Sequence, residues 1–195
     1  MSARNSYTTS DYLNWDTAIN LVHKLYRDGD YRISLFVAAG IMLGLRVSDI
    51  KRLTWRMLLE NDVLVIVEKK TNKRREIKLN KHFKSHVKDC FTALSISNID
   101  EACFLSNKKV VFSTQRLNVI LKELKAKYNI KVERFSCHSL RKTFGRQIFN
   151  AAGDNKEMAL VKLSQVFGHS SIAITRRYLG LREEEILATY DLLDF

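Results

Sequence analysis

The chain contains no proline in 195 residues and only seven glycines. Both residues punctuate the tight turns of β sandwiches, so their scarcity excludes a many-turned all-β fold and points to helices with short connections. Cysteine is also sparse: Cys90, Cys103 and Cys137 are odd in number and show no CxxC spacing, which argues against a disulfide framework and a cysteine-based zinc site. No apolar signal core opens the chain, and the longest apolar stretch, residues 33–45, is too short for a bilayer and carries two glycines. A soluble, cytoplasmic protein without membrane spans is expected. Acid is the scarcer charge, with 21 Asp and Glu against 33 Lys and Arg and a formal net charge of +12. Because 46% of residues are hydrophobic, the chain is not a disordered polycation. A polyanion is the expected partner, since cations that neutralise phosphates gain affinity from counterion release; a membrane surface is the rival.

No repeat, low-complexity tract or linker divides the sequence, so residues 1–195 read as one domain with a short lead, 1–10, and an acidic tail, 182–195. Apolar spacing predicts helices over 11–27 and 31–45, the second apolar almost all round and therefore central, with a break at Asp28-Gly29-Asp30. The β-branched runs 62–67 and 76–79 flank the basic stretch KKTNKRR and read as a hairpin with a charged tip. Helices resume at about 80–94, 113–128, 137–152, 154–167 and 183–192.

Four places carry chemistry. In GLRVSDI, Arg46 directly follows the apolar helix and is anchored near the core; a helix-end cation satisfying carbonyls is the simpler reading. The hairpin tip crowds Lys69, Lys70, Lys73, Arg74 and Arg75 together, as a solvated turn also can. In SCHSLRKTFGRQIFNAAG, Ser136 is a possible N-cap and Gly153 a C′ residue; Leu140, Phe144 and Ile148 form one stripe. His138, Arg141 and Gly145 lie within roughly 60° of one another on another face. In VFGHSSIAITRRYLG, Gly168 ends a helix, Ser170 or Ser171 caps the next, and His169 occupies the bend, with Tyr178 following the basic pair Arg176 and Arg177. Such a corner is also compatible with a helix-turn-helix reader of DNA.

Taken in order, these features resemble the catalytic domain of the tyrosine recombinases, the phage integrase family. GLRVSDI is similar to the family's GLRxSE box with Asp49 in place of Glu, HSLRKTF to HxLRHTF, FGHSSIAITRRY to LGHSSxxTTxxY, and KTNKRREIKL to KTGKxRxxPL. The resemblance implies an α+β, mostly helical recombinase fold in which a small β-hairpin carries the catalytic lysine. It implies Arg46, Lys70, His138, Arg141 and His169 as catalytic residues and Tyr178 as nucleophile, with Lys69 and Lys73 still competing with Lys70. Asp49 would be a supporting residue, and Lys69, Lys73, Arg74, Arg75, Lys142, Arg176 and Arg177 would bind DNA. The departures are Lys142, Lys78 and Gly180, where the family often has histidine, proline and histidine.

The implied activity is site-specific recombination of double-stranded DNA through a 3′-phosphotyrosyl intermediate, with no metal or cofactor. It would proceed on a homo-tetramer in a prokaryotic, nucleoid-associated setting. Two guanidiniums suit the charge that builds on nonbridging oxygens, and a phenol of ordinary pKa near 10 needs a base, for which His138 is placed. The ammonium of Lys70 suits protonation of the 5′-oxygen, and His169 suits a bond to the phosphate. The family's N-terminal helical, core-binding domain is expected to be absent; a single-domain recombinase and a catalytic fragment both fit. A type IB topoisomerase and a non-catalytic DNA-binding regulator remain alternatives. A metal-dependent nuclease is weaker, since no HxH or HExxH pair and no carboxylate cluster appears.

Overall fold

The chain's structure, a computed structural model, describes residues 10–192. Helix α1 (Trp15–Arg27) begins at Asn14, whose side chain accepts the Asp16 N–H at 3.0 Å. It starts later than its hydrophobic period suggests because the preceding backbone is bonded elsewhere. The Asp11 N–H donates to the Arg134 carbonyl at 3.0 Å and the Leu13 N–H to Thr143 Oγ1 at 2.9 Å. Helix α2 (Tyr31–Leu43) is the central helix, with residues 34–41 buried on every side. It stops at Gly44, whose φ of +58° is left-handed; a Cβ there would also stand 2.5 Å from the Phe144 ring.

Two short helices, α3 (Val47–Ile50) and α4 (Trp55–Leu59), follow. Neither is legible as a period, because one turn of helix shows no repeat. Strands β1 (Val63–Val67) and β2 (Arg74–Lys78) pair antiparallel, Val63 opposite Lys78 and Val67 opposite Arg74. They form the only sheet among the described residues. The second strand starts two residues earlier than expected, which takes Arg74 and Arg75 out of the tip. The turn closes sooner because the Asn72 N–H donates to the Glu68 carbonyl at 2.9 Å, and the Glu68 N–H to that of Lys73 at 3.0 Å.

Helix α5 (Lys81–Ala93) is capped by Asn80 and α6 (Thr114–Lys127) by Ser113; between them lies irregular chain pinned by the isolated pairs Thr54–Ala102 and Leu105–Val111. Then come α7 (Cys137–Ala151), a 3₁₀ turn Gly153–Asn155, α8 (Lys156–Phe167), α9 (Ile172–Leu179), α10 (Leu181–Ala188) and a 3₁₀ turn Tyr190–Leu192. The last helix thus begins earlier than expected, because Leu181 is buried against the α8–α9 pair. Leu193 and Asp194 of the tail, and residues 1–9 of the lead, lie outside the described residues.

The apolar residues gather into two clusters. The larger is built from α1, α2, the hairpin, α5, α6 and the first turns of α7; the smaller holds Leu160, Leu163, Phe167, Leu179 and Leu181. The single stripe expected on α7 is divided between them, Leu140 joining the larger and Phe144 and Ile148 the smaller. Helix α7 is therefore the seam, and its polar residues open between the clusters. Among the described residues no helix is long and apolar enough to cross a membrane.

Candidate active site

Along that seam lies a cavity of about 450 Å³ whose lining includes Arg46, Lys70, Thr71, His138, Arg141, His169 and Tyr178. Six side chains from four separate stretches of sequence, each expected to be catalytic, thus reach one hollow. Local structure explains how. Arg46 follows the left-handed Gly44 and the buried Leu45, and its extended backbone turns the side chain out of the α2 axis. Ser136 and Ser139 form a reciprocal capping box that fixes the start of α7, placing His138 and Arg141 one turn apart on one face. Gly168 ends α8 in the left-handed region, and the Ser171 hydroxyl caps α9 by accepting the Ile174 N–H at 3.3 Å. His169 is held between them, and Tyr178 ends the helix that Ser171 starts.

The two arginines converge on one atom. Arg46 Nη2 donates to the Phe167 carbonyl at 2.9 Å and Arg141 Nη2 to the same oxygen at 3.2 Å. A helix leaves its last carbonyls unpaired and carries partial negative charge there, so the end of α8 is a natural anchor for two guanidiniums. Arg141 also stacks over the Phe167 ring, 4.8 Å from its centroid, and is only 5% exposed. Its Nη1 is buried without a hydrogen-bond partner among the described residues. Burial, with repulsion from Arg46 and Arg75, lowers its pKa to about 10, which still leaves it charged at neutral pH.

Tyr178 packs edge-on against Phe167 and His169, with ring centroids 5.2 and 5.3 Å away. Its hydroxyl is buried without a hydrogen-bond partner among the described residues. Burial raises the phenol to about 12, against the opposing pull of Arg141 and Arg46. The two histidines shift the other way. Partial desolvation, reinforced by Arg141, Lys142 and Lys70, lowers the pKa of His138, which is exposed. Desolvation with Arg141 and Arg46 lowers that of His169. Both are therefore neutral imidazoles at neutral pH, able to accept a proton. His169 Nδ1 is 2.9 Å from the hydroxyl of Thr175, a fully buried residue.

The residues expected on DNA divide. Lys69, Lys73 and Arg177 are exposed, and Arg74 is paired with Glu76 at 2.5 Å. Arg176 pairs with Glu157. Lys142 is 5% exposed, its ammonium 5.7 Å from the centroid of the Tyr178 ring, so it stands beside the tyrosine. Arg75 Nη1 donates to Glu68 Oε1 at 3.1 Å. Asp49 is buried, and its Oδ1 accepts the Lys69 N–H at 2.8 Å, tying α3 to the hairpin tip. Among the described residues no group of three or more His, Cys, Asp or Glu is arranged to hold a metal ion.

Besides Thr71, Thr175 and the Phe167 carbonyl, two further participants escaped the sequence reading. Glu68, 2% exposed, accepts Arg46 Nη1 at 2.7 Å, Arg75 Nη1 and the Thr71 hydroxyl. The signal was parity, since Leu64 and Ile66 face inward from β1 and Glu68, the residue after the strand, continues the alternation. Asn118 is the other: its Oδ1 accepts the Cys137 N–H at 3.0 Å, fastening α6 to the start of α7. Nothing in its local pattern marks it.

A family model, the phage integrase family, matches residues 15–185. The chain belongs to the phage integrase family. Among curated relatives of this phage integrase chain, the probable integrase/recombinase YoeC of Bacillus subtilis (strain 168) is 32% identical over 163 residues, covering 83% of this chain and 82% of YoeC. The fold matches the crystal structure of XerA recombinase with a TM-score of 0.72 at 23% identity, over 95% of this chain and 65% of that one. It also matches the XerH site-specific recombinase bound to a palindromic difH substrate, with a TM-score of 0.68 at 18% identity, over 96% of this chain and 56% of XerH. This phage integrase chain thus spans roughly three-fifths of those two structures, as a mostly helical fold with one small hairpin.

Proposed function

We propose that the chain is the catalytic unit of a site-specific DNA recombinase that breaks and rejoins double-stranded DNA through a 3′-phosphotyrosyl intermediate. The observation that carries this reading is the gathering of Arg46, Lys70, His138, Arg141, His169 and Tyr178 around one cavity. A non-catalytic DNA-binding regulator needs cations on its surface; it has no use for a tyrosine whose hydroxyl is buried beside a neutral imidazole, on a cavity lined by two anchored guanidiniums.

The roles follow from placement. Arg46 and Arg141 share the Phe167 carbonyl and hold the nonbridging oxygens of the scissile phosphate, where charge grows in the transition state. Tyr178 Oη attacks phosphorus; its proton passes to neutral His138, which the high phenol pKa makes necessary. His169, steadied through Nδ1 by Thr175, offers Nε2 to a phosphate oxygen. Lys70, exposed on the tip of the hairpin, protonates the departing 5′-oxygen. The P–O5′ bond breaks as the Tyr–O–P bond forms, and a 5′-hydroxyl on a second strand reverses the exchange. The chain carries this chemistry with protein groups alone.

The test is Tyr178→Phe, which removes only the attacking oxygen. The variant should bind half-site DNA as before and form no SDS-resistant protein–DNA adduct; an adduct that persisted would assign the chemistry to another tyrosine and defeat the reading.

The assembly is a homo-tetramer on paired sites, in a prokaryotic cytoplasm on nucleoid DNA. Its support is the end of the chain, where Ile186, Leu187 and Tyr190 are 50%, 67% and 67% exposed, while the tail is acidic in a chain of +12. Duplex DNA repels such a segment, and exposed apolar side chains on so short a helix need a protein surface. Deleting the residues after Arg182 should leave half-site binding nearly intact and abolish cooperative assembly on paired sites in gel-shift and strand-exchange assays. Normal assembly by the truncated chain would show the tail to be local packing and would remove this support for the tetramer.

A further inference from the structure

The hairpin tip is tied down on both sides of Lys70. On one side the Lys69 N–H donates to Asp49 Oδ1 at 2.8 Å; on the other the Thr71 hydroxyl donates to Glu68 Oε2 at 2.7 Å. The same Oε2 accepts Arg46 Nη1 at 2.7 Å, while Oε1 accepts Arg75 Nη1 at 3.1 Å. One carboxylate, almost wholly buried, therefore joins the tip that carries Lys70 to a guanidinium that faces the cavity. Burial by itself would raise the Glu68 pKa, but the Thr71 bond and the two arginines outweigh it and hold the group below its ordinary value, so it is ionised at neutral pH. Arg46 is in turn fixed at its second nitrogen by the Phe167 carbonyl. The chain of contacts runs from the end of α8 through Arg46 and Glu68 to Thr71, next to Lys70.

We propose that Glu68 is a positioning residue for the cleavage step, a single buried carboxylate that sets the Arg46 guanidinium and the Lys70 hairpin tip in one geometry. This rests on the recombinase reading above. Arg46 meets the phosphate and Lys70 the leaving oxygen, atoms one bond apart, so the two cations must be placed relative to each other as well as to DNA. A flexible tip alone would place them independently. Glu68 removes that freedom before DNA arrives, and orientation of this kind lowers the barrier without adding contact to substrate.

The experiment compares half-sites with an ordinary 5′-bridging oxygen and with sulfur in that position. With oxygen, the P–O5′ bond breaks as Lys70 delivers a proton to O5′. With sulfur, the P–S bond breaks and the thiolate leaves unprotonated, so a misplaced Lys70 no longer matters, whereas a misplaced Arg46 still does. Glu68→Gln should lower the rate of adduct formation at saturating oxygen DNA by on the order of 10–100-fold, as loss of a supporting partner does around other sites. Half-site affinity should change little, and sulfur should restore part of the rate. Thr71→Val leaves the arginine pairs in place and loosens only the tip, so sulfur should restore nearly all of its smaller loss. Lys70→Ala, restored by sulfur, and Arg46→Ala, not restored, calibrate the scale.

An unchanged rate in Glu68→Gln, a loss matched by weaker binding, or losses in both variants that sulfur does not relieve would each overturn the proposal. Should Glu68→Gln fail to fold, Thr71→Val decides alone. A wild-type chain that forms no adduct on either DNA would instead defeat the recombinase reading itself.

Discussion

Gly145, where α7 packs against Phe167 and Leu179, is where packing and chemistry meet. A Cβ at this position would stand 2.6 Å from Leu179 Cδ2, 2.8 Å from Phe167 Cζ and 3.0 Å from Phe167 Cε2. Gly145→Ala has a favourable local effect of about 1 kcal/mol, because alanine is the better helix former. Against it stands overpacking, which costs about 1–3 kcal/mol where neighbours are close-packed. Phe167 is fully buried and cannot swing away freely: Arg141 lies over its ring at 4.8 Å, and Phe144, His169 and Tyr178 surround it at centroid distances of 6.1, 5.4 and 5.2 Å.

The net change is a loss of between about 0 and 2 kcal/mol, a fall in Tm of at most about 8 °C for a chain of this size. The effect on rate should be much larger. Displacing Phe167 moves the carbonyl that anchors Arg46 and Arg141, and displacing Leu179 moves the residue next to Tyr178. A misplacement of about 1 Å costs on the order of 100-fold in rate. The check is a pair of measurements on one preparation, a thermal melt and the rate of adduct formation on a nicked half-site. A variant that cleaves like wild type with an unchanged Tm would show that the close approach does not transmit to the site. One that loses DNA binding in proportion to rate would place the effect elsewhere.

Arg141→Ala should cost about 3–4 kcal/mol in the chemical step, as loss of one preorganised donor does, with half-site affinity nearly kept; equal losses in affinity and rate would remove it from the transition state. Acidification should destabilise the fold. His86, His138 and His169 are all held below the ordinary imidazole pKa, with burial the largest cause in each. Between their folded values and about 6.5 the unfolded chain binds more protons than the native one, so stability rises with pH across that window. Tm should therefore fall from about pH 7.5 to about pH 5.5, and bound DNA should blunt the fall because phosphate favours protonated His138 and His169. A Tm that rose on acidification would contradict the partial desolvation of these rings.

The sequence was most legible where one residue type had one physical use. Continuous apolarity marked α2 as central, and Ser136, Gly168 and Ser171 bounded the helices that carry His138, Arg141 and Tyr178, as the observed caps do. It was least legible where a residue's task depends on partners distant in the chain. Arg75 looked like one of several cations at a tip, yet the turn closes after residue 72 and the inner-face parity of β2 directs it to Glu68. The Phe167 carbonyl carries no side-chain signal, although the Arg46 and Arg141 guanidiniums meet on it. Helices α3 and α4 are too brief for a period to be read, but they carry Asp49 and the buried Trp55.

Glu68 and the Phe167 carbonyl resolve a difficulty that the proposed phosphate site would create for itself. Arg46, Arg75, Arg141 and Lys70 stand close enough for their charges to act on one another or on shared neighbours, and Arg141 registers repulsion from the other two arginines. Without compensation the folded chain would carry that repulsion whenever DNA is absent. Glu68 lies between Arg46 and Arg75, and the Phe167 carbonyl between Arg46 and Arg141, so each arginine holds a fixed partner within the protein. Arg141 Nη1 is left over. On the proposed reading, the contacts that relieve repulsion in the free protein are already made when DNA binds, so an incoming phosphate would meet charge that needs no rearrangement to receive it.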